Sequence, residues 1–259
     1  MARVEGQLTS PASARHAARR PPTLKAAEFT RFVLEYAAHH PDRPIAILQA
    51  GCATAGSELD LAALRTAGHQ VLISLVDDDS KPVQAAIASR PELESAVLGE
   101  LRSVPLPPRS FDIVQCSMLL DRISHAELVL DRLVGALRPG GLLLLRTADR
   151  DTAAGFLDRR LPRILRSVSW HAVKPGQPGP FAAVYEPIAS ARGIHAFLLR
   201  HGLVVAHRQS RNSAVGGPLV VLAAHRLVAS LSLGRLACGH DELHYVVRKP
   251  EDPFARVLP

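Results

Sequence analysis

Cysteine is scarce in this chain, and so are long apolar runs. Only three cysteines occur, Cys52, Cys116 and Cys238, and they are odd in number and far apart. This excludes a disulfide framework and a Cys-x-x-Cys metal site, and it suits a reducing compartment. No apolar run reaches the ~18–20 residues that span a bilayer, and the first residues lack the apolar core of a signal peptide. We therefore predict a cytoplasmic protein with no membrane span and no metal site.

Lysine is scarce as well. Lysine and arginine together number 31, and all but Lys25, Lys81, Lys174 and Lys249 are arginine. The net charge of +7 is compatible with nucleic-acid binding, but an electrostatic footprint requires the charges to cluster on one face. An arginine excess in an alanine-rich chain is instead typical of a GC-rich genome. We expect no nucleic-acid partner.

The chain is long enough for one large domain with additions. Residues 1–22 are polar and lack periodicity, which predicts a disordered basic arm. We expect a single domain over 23–259. Its cofactor half covers about 45–148, and its lid, acceptor and closing-strand half covers about 149–259. The second half includes a helical insert at 212–240.

Apolar strand-like and helical segments alternate along this domain. Predicted strands cover 45–50, 71–76, 96–100, 111–117, 142–147, 203–209 and 242–250. Predicted helices cover 23–40, 58–68, 82–89, 124–137, 188–201 and 219–231, and Gly68 suits a helix cap. Continuous apolar runs such as IAILQA are typical of strands buried on both faces of a parallel sheet. The pattern predicts a doubly wound, mostly parallel α/β sheet that ends in an antiparallel strand pair, with ligands at the carboxyl ends of the strands.

The segment ILQAGCATAGSELD (47–60) leads from the first strand through a turn of small residues into a helix. Gly51, Ala53 and Gly56 fit the relaxed dinucleotide fingerprint G-x-[GA]-x-x-G, in which small residues let backbone N–H groups approach a ligand. Asp77 follows Gly56 by 21 residues and ends the second strand, where a carboxylate can accept both ribose hydroxyls of an adenosine cofactor. The alternative is a strand–helix turn without a ligand, with Asp77 in an acidic helix start.

A longer pattern indicates which cofactor is bound. Its parts are Gly99-Glu100, Val104-Pro105-Leu106, Ser110-Phe111-Asp112 and Leu137-Arg138-Pro139-Gly140-Gly141. Over about 45–148 the chain resembles the class I S-adenosylmethionine-dependent methyltransferase superfamily. The resemblance implies a seven-stranded Rossmann-like sheet with an antiparallel last strand. It also implies S-adenosyl-L-methionine as cofactor and a small-molecule acceptor.

The resemblance assigns roles to individual residues. The loop from Gln49 to Gly56, which includes Gly51 and Ala53, would hold the methionine end of the cofactor. Asp77 would bind its ribose. Glu100 would face the adenine amino group beside the backbone N–H of Leu101. Cys116 and Ser117 would line the floor near the methyl group.

Three positions depart from the family pattern. Gln49 stands where an acid helps to hold the cofactor's ammonium group, and losing the charge-assisted part of that bond suggests a penalty of order 1 kcal/mol. Ala53 and Ala55 stand where glycine is common, and Ala53 is tolerable only with a negative φ. We predict a modified loop that still binds the cofactor.

Candidate acceptor-side residues follow the fourth predicted strand. Asp121 could serve as a general base or orient a cationic acceptor, with Arg122 beside it. The alternative is a surface pair between these two side chains. His171 and Tyr185 lie in a Pro/Gly-rich lid region, and each has a purely structural alternative. We expect Arg159, Arg160, Arg163 and Arg166 on one helix, as a solvated face or as a site that favours an anionic acceptor.

The helix at 219–231 is apolar on nearly all sides. Burial is the default expectation for such a helix, with a homodimer contact or a lid over an apolar acceptor as alternatives. The oligomeric state is not predicted by the sequence.

The function favoured by these patterns is methyl transfer to oxygen or nitrogen of a small molecule. A non-catalytic or regulatory protein on the same fold is the main alternative. A nicotinamide-dependent reductase is disfavoured, because the closing strand pair at 203–248 fits the methyltransferase fold better than a nicotinamide dehydrogenase, whose sheet normally continues in parallel. A nucleic-acid methyltransferase is disfavoured, because no Asn-Pro-Pro-Tyr-like motif occurs.

Overall fold

The computed structural model describes residues 24–173, 179–212 and 219–251 of the chain, and the predicted arm at 1–22 lies outside them. The helices are α1 (Leu24–Ala38), α2 (Cys52–Ala55), α3 (Leu61–Thr66), α4 (Lys81–Ala88), α5 (Ala126–Ala136), α6 (Ala153–Arg160), α7 (Arg163–Val173), α8 (Ala191–Arg200) and α9 (Leu219–Leu231). The strands are β1 (Ile45–Ala50), β2 (Val71–Asp77), β3 (Ser95–Leu98), β4 (Phe111–Ser117), β5 (Leu137–Ala148), β6 (Val204–Arg211) and β7 (Glu242–Arg248).

The strands form one seven-stranded sheet in the order β3-β2-β1-β4-β5-β7-β6. Strands β1 to β5 pair in parallel, whereas β7 runs antiparallel to both β5 and β6. This confirms the predicted α/β fold and its antiparallel closing pair. The strand order reverses between β1 and β4, which places a ligand crevice at their carboxyl ends.

Apolar side chains bury both faces of the sheet. On one face, α1 and α3 pack on β1 and β4, where Val33, Ile47 and Ile113 are fully buried. On the other face, α5 and α8 pack on β4, β5 and β7. Because β1 and β4 are covered on both sides, their sequences are continuous apolar runs, and their predicted bounds are correct.

Local chemistry explains several helix ends. The Asp60 side chain accepts a hydrogen bond from Ala63 N at the start of α3, and Ser190 caps α8 through Gly193 N. Gly68 has φ 87°, the left-handed conformation that ends a helix after its last turn, as expected. The α3 helix begins at Leu61 rather than at 58, because Asp60 supplies the cap.

Two expectations for the second half are wrong. Arg159, Arg160, Arg163 and Arg166 do not share one helix, because the chain leaves α6 at Arg160 and begins α7 at Arg163. Pro162 lies at this break. Proline has no backbone N–H to donate, so it cannot continue the hydrogen bonds of a helix. The α9 helix has the predicted bounds, but it is not buried. Its only buried residue is Ala229, and Leu219 is 82% exposed.

Within the described residues, no helix is both long enough and apolar enough to cross a membrane.

Candidate functional site

The loop after β1 turns at Gly51 and Gly56. Their φ angles are 71° and 78°, so glycine takes both left-handed positions, and the short helix α2 lies between them. A Cβ on Gly51 would lie 2.8 Å from Leu119 Cβ and 2.9 Å from the Ser117 carbonyl oxygen. Ala53 lies within α2 and does not have a positive φ, so the condition for tolerating alanine there is met. The backbone of the loop therefore accommodates Ala53 without strain.

Asp77 ends β2 beside this loop and is fully buried. Its Oδ2 accepts a hydrogen bond from Ala53 N at 3.3 Å, and its Oδ1 accepts one from Asp78 N at 3.0 Å. Burial raises the pKa of Asp77, and the charge of Arg122 opposes that rise. The structure therefore places a carboxylate next to the glycine loop, where the sequence predicts a ribose-binding acid.

The guanidinium of Arg122 occupies the open side of Asp77. Its Nη2 lies 2.7 Å from Asp77 Oδ1, and both side chains are almost completely buried. The Phe181 ring lies over the same guanidinium, 4.8 Å from ring centroid to Arg122 Cζ. Arg122 does not lie at the surface, as the alternative interpretation required, but turns inward to Asp77. The two residues are 45 positions apart, so this contact leaves no local signal in the sequence.

Contacts from α7 hold Phe181 in place. Its carbonyl oxygen accepts a hydrogen bond from Arg166 Nη2 at 2.6 Å, and Arg166 also pairs with Asp158 on α6. The Trp170 ring meets the Phe181 ring edge-on. The segment around Phe181 thus closes one side of the Asp77–Arg122 pair.

A cavity of about 420 Å³ opens next to Asp77. It lies between the loop after β3 and the segment before α5, and is lined by Asp78, Gly99, Glu100, Leu101, Arg102, Ile123, Ser124, His125 and Val129. Glu100 and Leu101 therefore line a cavity, as their assigned roles require. The Glu100 carboxylate forms two 2.9 Å hydrogen bonds with Arg102, whose charge lowers the pKa of Glu100. The sequence did not identify Ile123 to His125 as part of this wall.

Gln49 is buried in a polar network on the α1 side of the sheet. Its Nε2 donates to Ser57 Oγ at 2.9 Å and to Gln115 Oε1 at 3.3 Å. Its Oε1 accepts a hydrogen bond from Arg90 Nη2 at 2.7 Å. The neutral amide of Gln49 can donate to Ser57 and Gln115 while it accepts from Arg90, whereas a carboxylate at this position could only accept. Arg90 is a contact that the sequence did not reveal.

Cys116 and Ser117 end β4 directly below the loop. Burial raises the pKa of the Cys116 thiol to about 12, so it is a neutral apolar group of the core. The Ser117 hydroxyl is fully buried and has no hydrogen-bond partner among the described residues. A buried hydroxyl without a partner is costly, and it marks a place where a ligand atom can bind.

Asp121 lies between the end of β5 and the segment at 184–185. Its Oδ1 accepts a hydrogen bond from Thr147 Oγ1 at 3.3 Å, and its backbone carbonyl accepts from Val184 N and Tyr185 N. Tyr185 is buried, and burial followed by the charges of Asp158 and Asp121 raises the pKa of its hydroxyl. Asp121 and Tyr185 are therefore neighbours, close to Arg122.

His171 lies away from this group. It is exposed on the outer side of α7, and its Nδ1 lies 2.7 Å from the backbone carbonyl of Ser167 in the preceding turn. The structure does not bring His171 to the cavity or to Asp77.

A second buried ion cluster lies at the carboxyl end of β5. Arg146 pairs with Glu58 at 2.8 Å and with Glu242 at 2.9 Å, and His244 lies beside both carboxylates. The sequence identified none of these residues, although a charged residue in the apolar strand LLLLRT is a signal that such a partner exists.

Comparison with known proteins agrees with this geometry. Residues 48–145 match the family model described as a methyltransferase domain. No curated protein sequence matches the chain.

Solved structures share the fold at low sequence identity. A proposed sarcosine dimethylglycine methyltransferase from Galdieria sulphuraria is 14% identical, with TM-score 0.51, covering 87% of this chain and 86% of that one. The plantazolicin methyltransferase BamL, solved with a triazolic desmethylPZN analog and SAH, is 13% identical, with TM-score 0.51 and coverage of 88% and 85%. A structure of a proposed methyltransferase with the Haloferax volcanii Trm112 activator is 17% identical, with TM-score 0.50 and coverage of 88% and 95%.

The family match covers residues 48–145, which are thus similar to a methyltransferase domain. The strand order β3-β2-β1-β4-β5-β7-β6 gives the chain a mostly parallel Rossmann-like sheet, the fold that it shares with these solved structures.

Proposed function

We propose that this chain transfers a methyl group from S-adenosylmethionine to an oxygen or nitrogen atom of a small-molecule acceptor. The observation that carries the proposal is the cavity between Glu100–Leu101 and Ile123, whose wall includes Asp78, the residue after Asp77. This wall lies beyond the carboxyl ends of β2, β3 and β4, the side of the sheet on which open α/β sheets bind ligands.

The residues fit the cofactor in three places. The cavity of about 420 Å³ is large enough for a nucleobase, and Glu100 and the Leu101 backbone lie at its wall. Gly51 lets the loop pack against Leu119 and the Ser117 carbonyl oxygen, more closely than any side chain would allow. The Ser117 hydroxyl supplies a buried polar group below the loop.

Arg122 must move before Asp77 can receive ribose hydroxyls. The carboxylate already accepts three hydrogen bonds, from Ala53 N, Asp78 N and Arg122. The two backbone donors are fixed by the fold, whereas the Arg122 side chain can rotate. Exchange of Arg122 for the cofactor would therefore accompany binding, and it would displace Phe181 from the guanidinium.

The bound cofactor supplies an electrophilic methyl group on a sulfonium, so the chain's main task is to place the acceptor in line with it. Such placement can supply ~7–11 kcal/mol of the barrier. Asp121 is the proposed base, because its carboxylate lies near Tyr185 and Arg122 at the edge of the site. It would receive the proton of the acceptor hydroxyl or amine.

Calorimetric titration tests this proposal. We expect S-adenosylmethionine and S-adenosylhomocysteine to bind with micromolar affinity, and NADH and NADPH not to bind. Asp77→Ala should abolish binding, while Asp131→Asn, on the outer side of α5, should not change it. Binding of NADH in preference to the methionine cofactors would contradict the proposal.

A non-catalytic or regulatory role is the second candidate, and the Asp77–Arg122 pair is the observation that favours it. On this reading the ion pair permanently fills the ribose position. The Arg122→Met variant separates the two candidates. If the variant binds S-adenosylhomocysteine and the wild type does not, the ion pair blocks the site and the non-catalytic role is the better account.

A further inference from the structure

The second half of the chain is strongly asymmetric in charge. Residues 159–240 contain eleven arginines and lysines but one acidic residue, Glu186. Since the whole chain carries +7 and this segment alone carries +10, the rest of the chain is net negative. The Glu186 carboxylate is itself engaged, because it accepts hydrogen bonds from His125 N and Ala126 N at the start of α5. Arg166, Arg200 and Arg211 pair with acids outside the segment, and the remaining cations still leave it with an excess of positive charge.

Within this segment, α9 has an exposed apolar face. Leu219, Val220, Leu227 and Leu231 lie on one side of the helix and are 61–82% exposed. Arg226 lies among them, exposed and without an ion pair within the described residues. The opposite side of α9 faces the protein, and α6 is the helix packed against it.

The α7 helix repeats this arrangement. Ile164, Leu165 and Val168 are 54–79% exposed on one side, and Arg163 is exposed at its start. The other side of α7 faces the protein through Arg166 and Trp170. Neither α7 nor α9 contains an acidic residue.

We propose that the exposed faces of α7 and α9 dock on an anionic lipid surface. Leucine, isoleucine and valine side chains insert at the boundary between headgroups and acyl chains, while arginines bind the lipid phosphates. Exposed apolar side chains at this density mark an interaction site rather than an ordinary surface.

Charge and exposed apolar side chains together favour a lipid surface over three other partners: a second copy of the chain, the segment at 1–22 and nucleic acid. A second copy of the chain would bring two basic faces together, and like charges that meet at an interface disfavour association. The residues at 1–22 are basic as well, so they do not complement these faces. Nucleic acid would complement the arginines but would gain nothing from exposed leucine and valine.

Vesicle binding tests the proposal with the full-length protein. The probes are vesicles of phosphatidylcholine alone and vesicles with about one-third phosphatidylglycerol, assayed by co-sedimentation. We expect at least about tenfold stronger binding to the anionic vesicles than to the neutral ones, and weaker binding at high salt.

Variants on the two faces provide the decisive comparison. Leu219→Glu with Leu227→Glu, and separately Ile164→Glu with Val168→Glu, should each weaken binding at least about tenfold. Leu199→Glu is the matched control, because Leu199 is 66% exposed on α8, and it should leave binding unchanged. Circular dichroism and urea unfolding confirm that these surface variants fold.

Three results would overturn the proposal. One is equal or absent binding to the two kinds of vesicle. Another is unchanged binding by both pairs of glutamate variants. The third is a dimer, seen by light scattering, that Leu219→Glu with Leu227→Glu dissociates while vesicles are not bound, which would assign the face to a second copy.

Discussion

Arg122 Nη2 lies 2.7 Å from Asp77 Oδ1, and both side chains are buried beneath Phe181. The acid that the sequence predicts as a ribose ligand is thus already neutralised by the chain itself. A buried carboxylate without a cation would be costly, so Arg122 stabilises the buried charge of Asp77. Any ligand of Asp77 competes with Arg122.

Removal of Arg122 should destabilise the fold. Arg122→Met leaves the Asp77 carboxylate buried without its cation, and we expect a loss of about 3–5 kcal/mol in the free energy of unfolding. Urea denaturation measures this loss. The matched control is Arg102→Met, which removes the exposed partner of Glu100 and should have no measurable effect. An equal effect of both substitutions would contradict the assignment of a buried pair.

The same substitution should strengthen cofactor binding. Arg122 must leave Asp77 before the cofactor can bind, and breaking this ion pair costs free energy. Removing Arg122 removes that cost, and we expect about tenfold tighter binding of S-adenosylhomocysteine. Calorimetry at a temperature where the variant is folded measures the affinity. Weaker binding would show that Arg122 assists the cofactor instead of competing with it.

Asp112 should stabilise the fold in a pH-dependent way. Burial raises its pKa, but hydrogen bonds from Arg43, Ala46 N, Arg138 and Tyr36 outweigh burial, so the pKa is lowered. A carboxyl group with a lowered pKa contributes stability above its unfolded pKa of about 3.9 and loses it as the pH falls through the folded pKa. We expect Asp112→Asn to cost about 1.5–3 kcal/mol at pH 7, and the difference to shrink below about pH 4.

Urea denaturation across this pH range measures the Asp112 effect. Tyr36→Phe removes one of the four bonds and should cost about 1 kcal/mol at pH 7. The Tyr36 hydroxyl stays protonated throughout, because burial and then Asp112 raise its pKa to about 12. A cost of Asp112→Asn that is the same at pH 3 and pH 7 would contradict the ionic role.

Gly51 should tolerate alanine less well than Gly68 does. Both have positive φ, but Cβ at position 68 meets no atom within 4 Å, whereas Cβ at position 51 meets Leu119 and the Ser117 carbonyl oxygen. Backbone strain alone predicts about 1–2 kcal/mol for Gly68→Ala, and the close contacts predict a larger loss for Gly51→Ala. Thermal unfolding of both variants gives the comparison. Equal losses would mean that the loop relaxes around the added methyl group.

Asp121→Asn should slow methyl transfer once an acceptor is identified. Loss of a general base lowers kcat by about 10²–10⁴-fold, while cofactor affinity should be unchanged, because Asp121 lies outside the cavity wall. Single-turnover kinetics at saturating cofactor measures the step. An unchanged rate would exclude Asp121 as the base.

The sequence predicted elements best where local pattern and tertiary environment agree. Strands β1 and β4 lie in the middle of the sheet, so their apolar runs and their bounds coincide. Gly51 and Gly56 have the positive φ angles that the fingerprint requires. The break between α6 and α7 was missed, although Pro162, which interrupts the run of arginines, was a local signal for it.

Contacts between distant segments could not be predicted in the same way. Arg122 has the same local signals whether it pairs with Asp121 at the surface or turns inward to Asp77. Periodicity gave the bounds of α9, but an apolar helix pattern does not reveal whether another element covers it. Arg146 pairs with Glu58 and Glu242, and these two residues come from opposite ends of the chain.

The order of the last two strands has a consequence for synthesis on the ribosome. Strand β6 precedes β7 in the chain but lies outside it, hydrogen-bonded to β7 alone. β6 therefore leaves the ribosome before β7, its pairing partner, has been synthesised. Until β7 is made, the edge of β5 that pairs with it is also unpaired. When β7 arrives it inserts between them and closes both edges in one step. Until then the nascent chain exposes two unpaired strand edges, the state in which it most needs a chaperone.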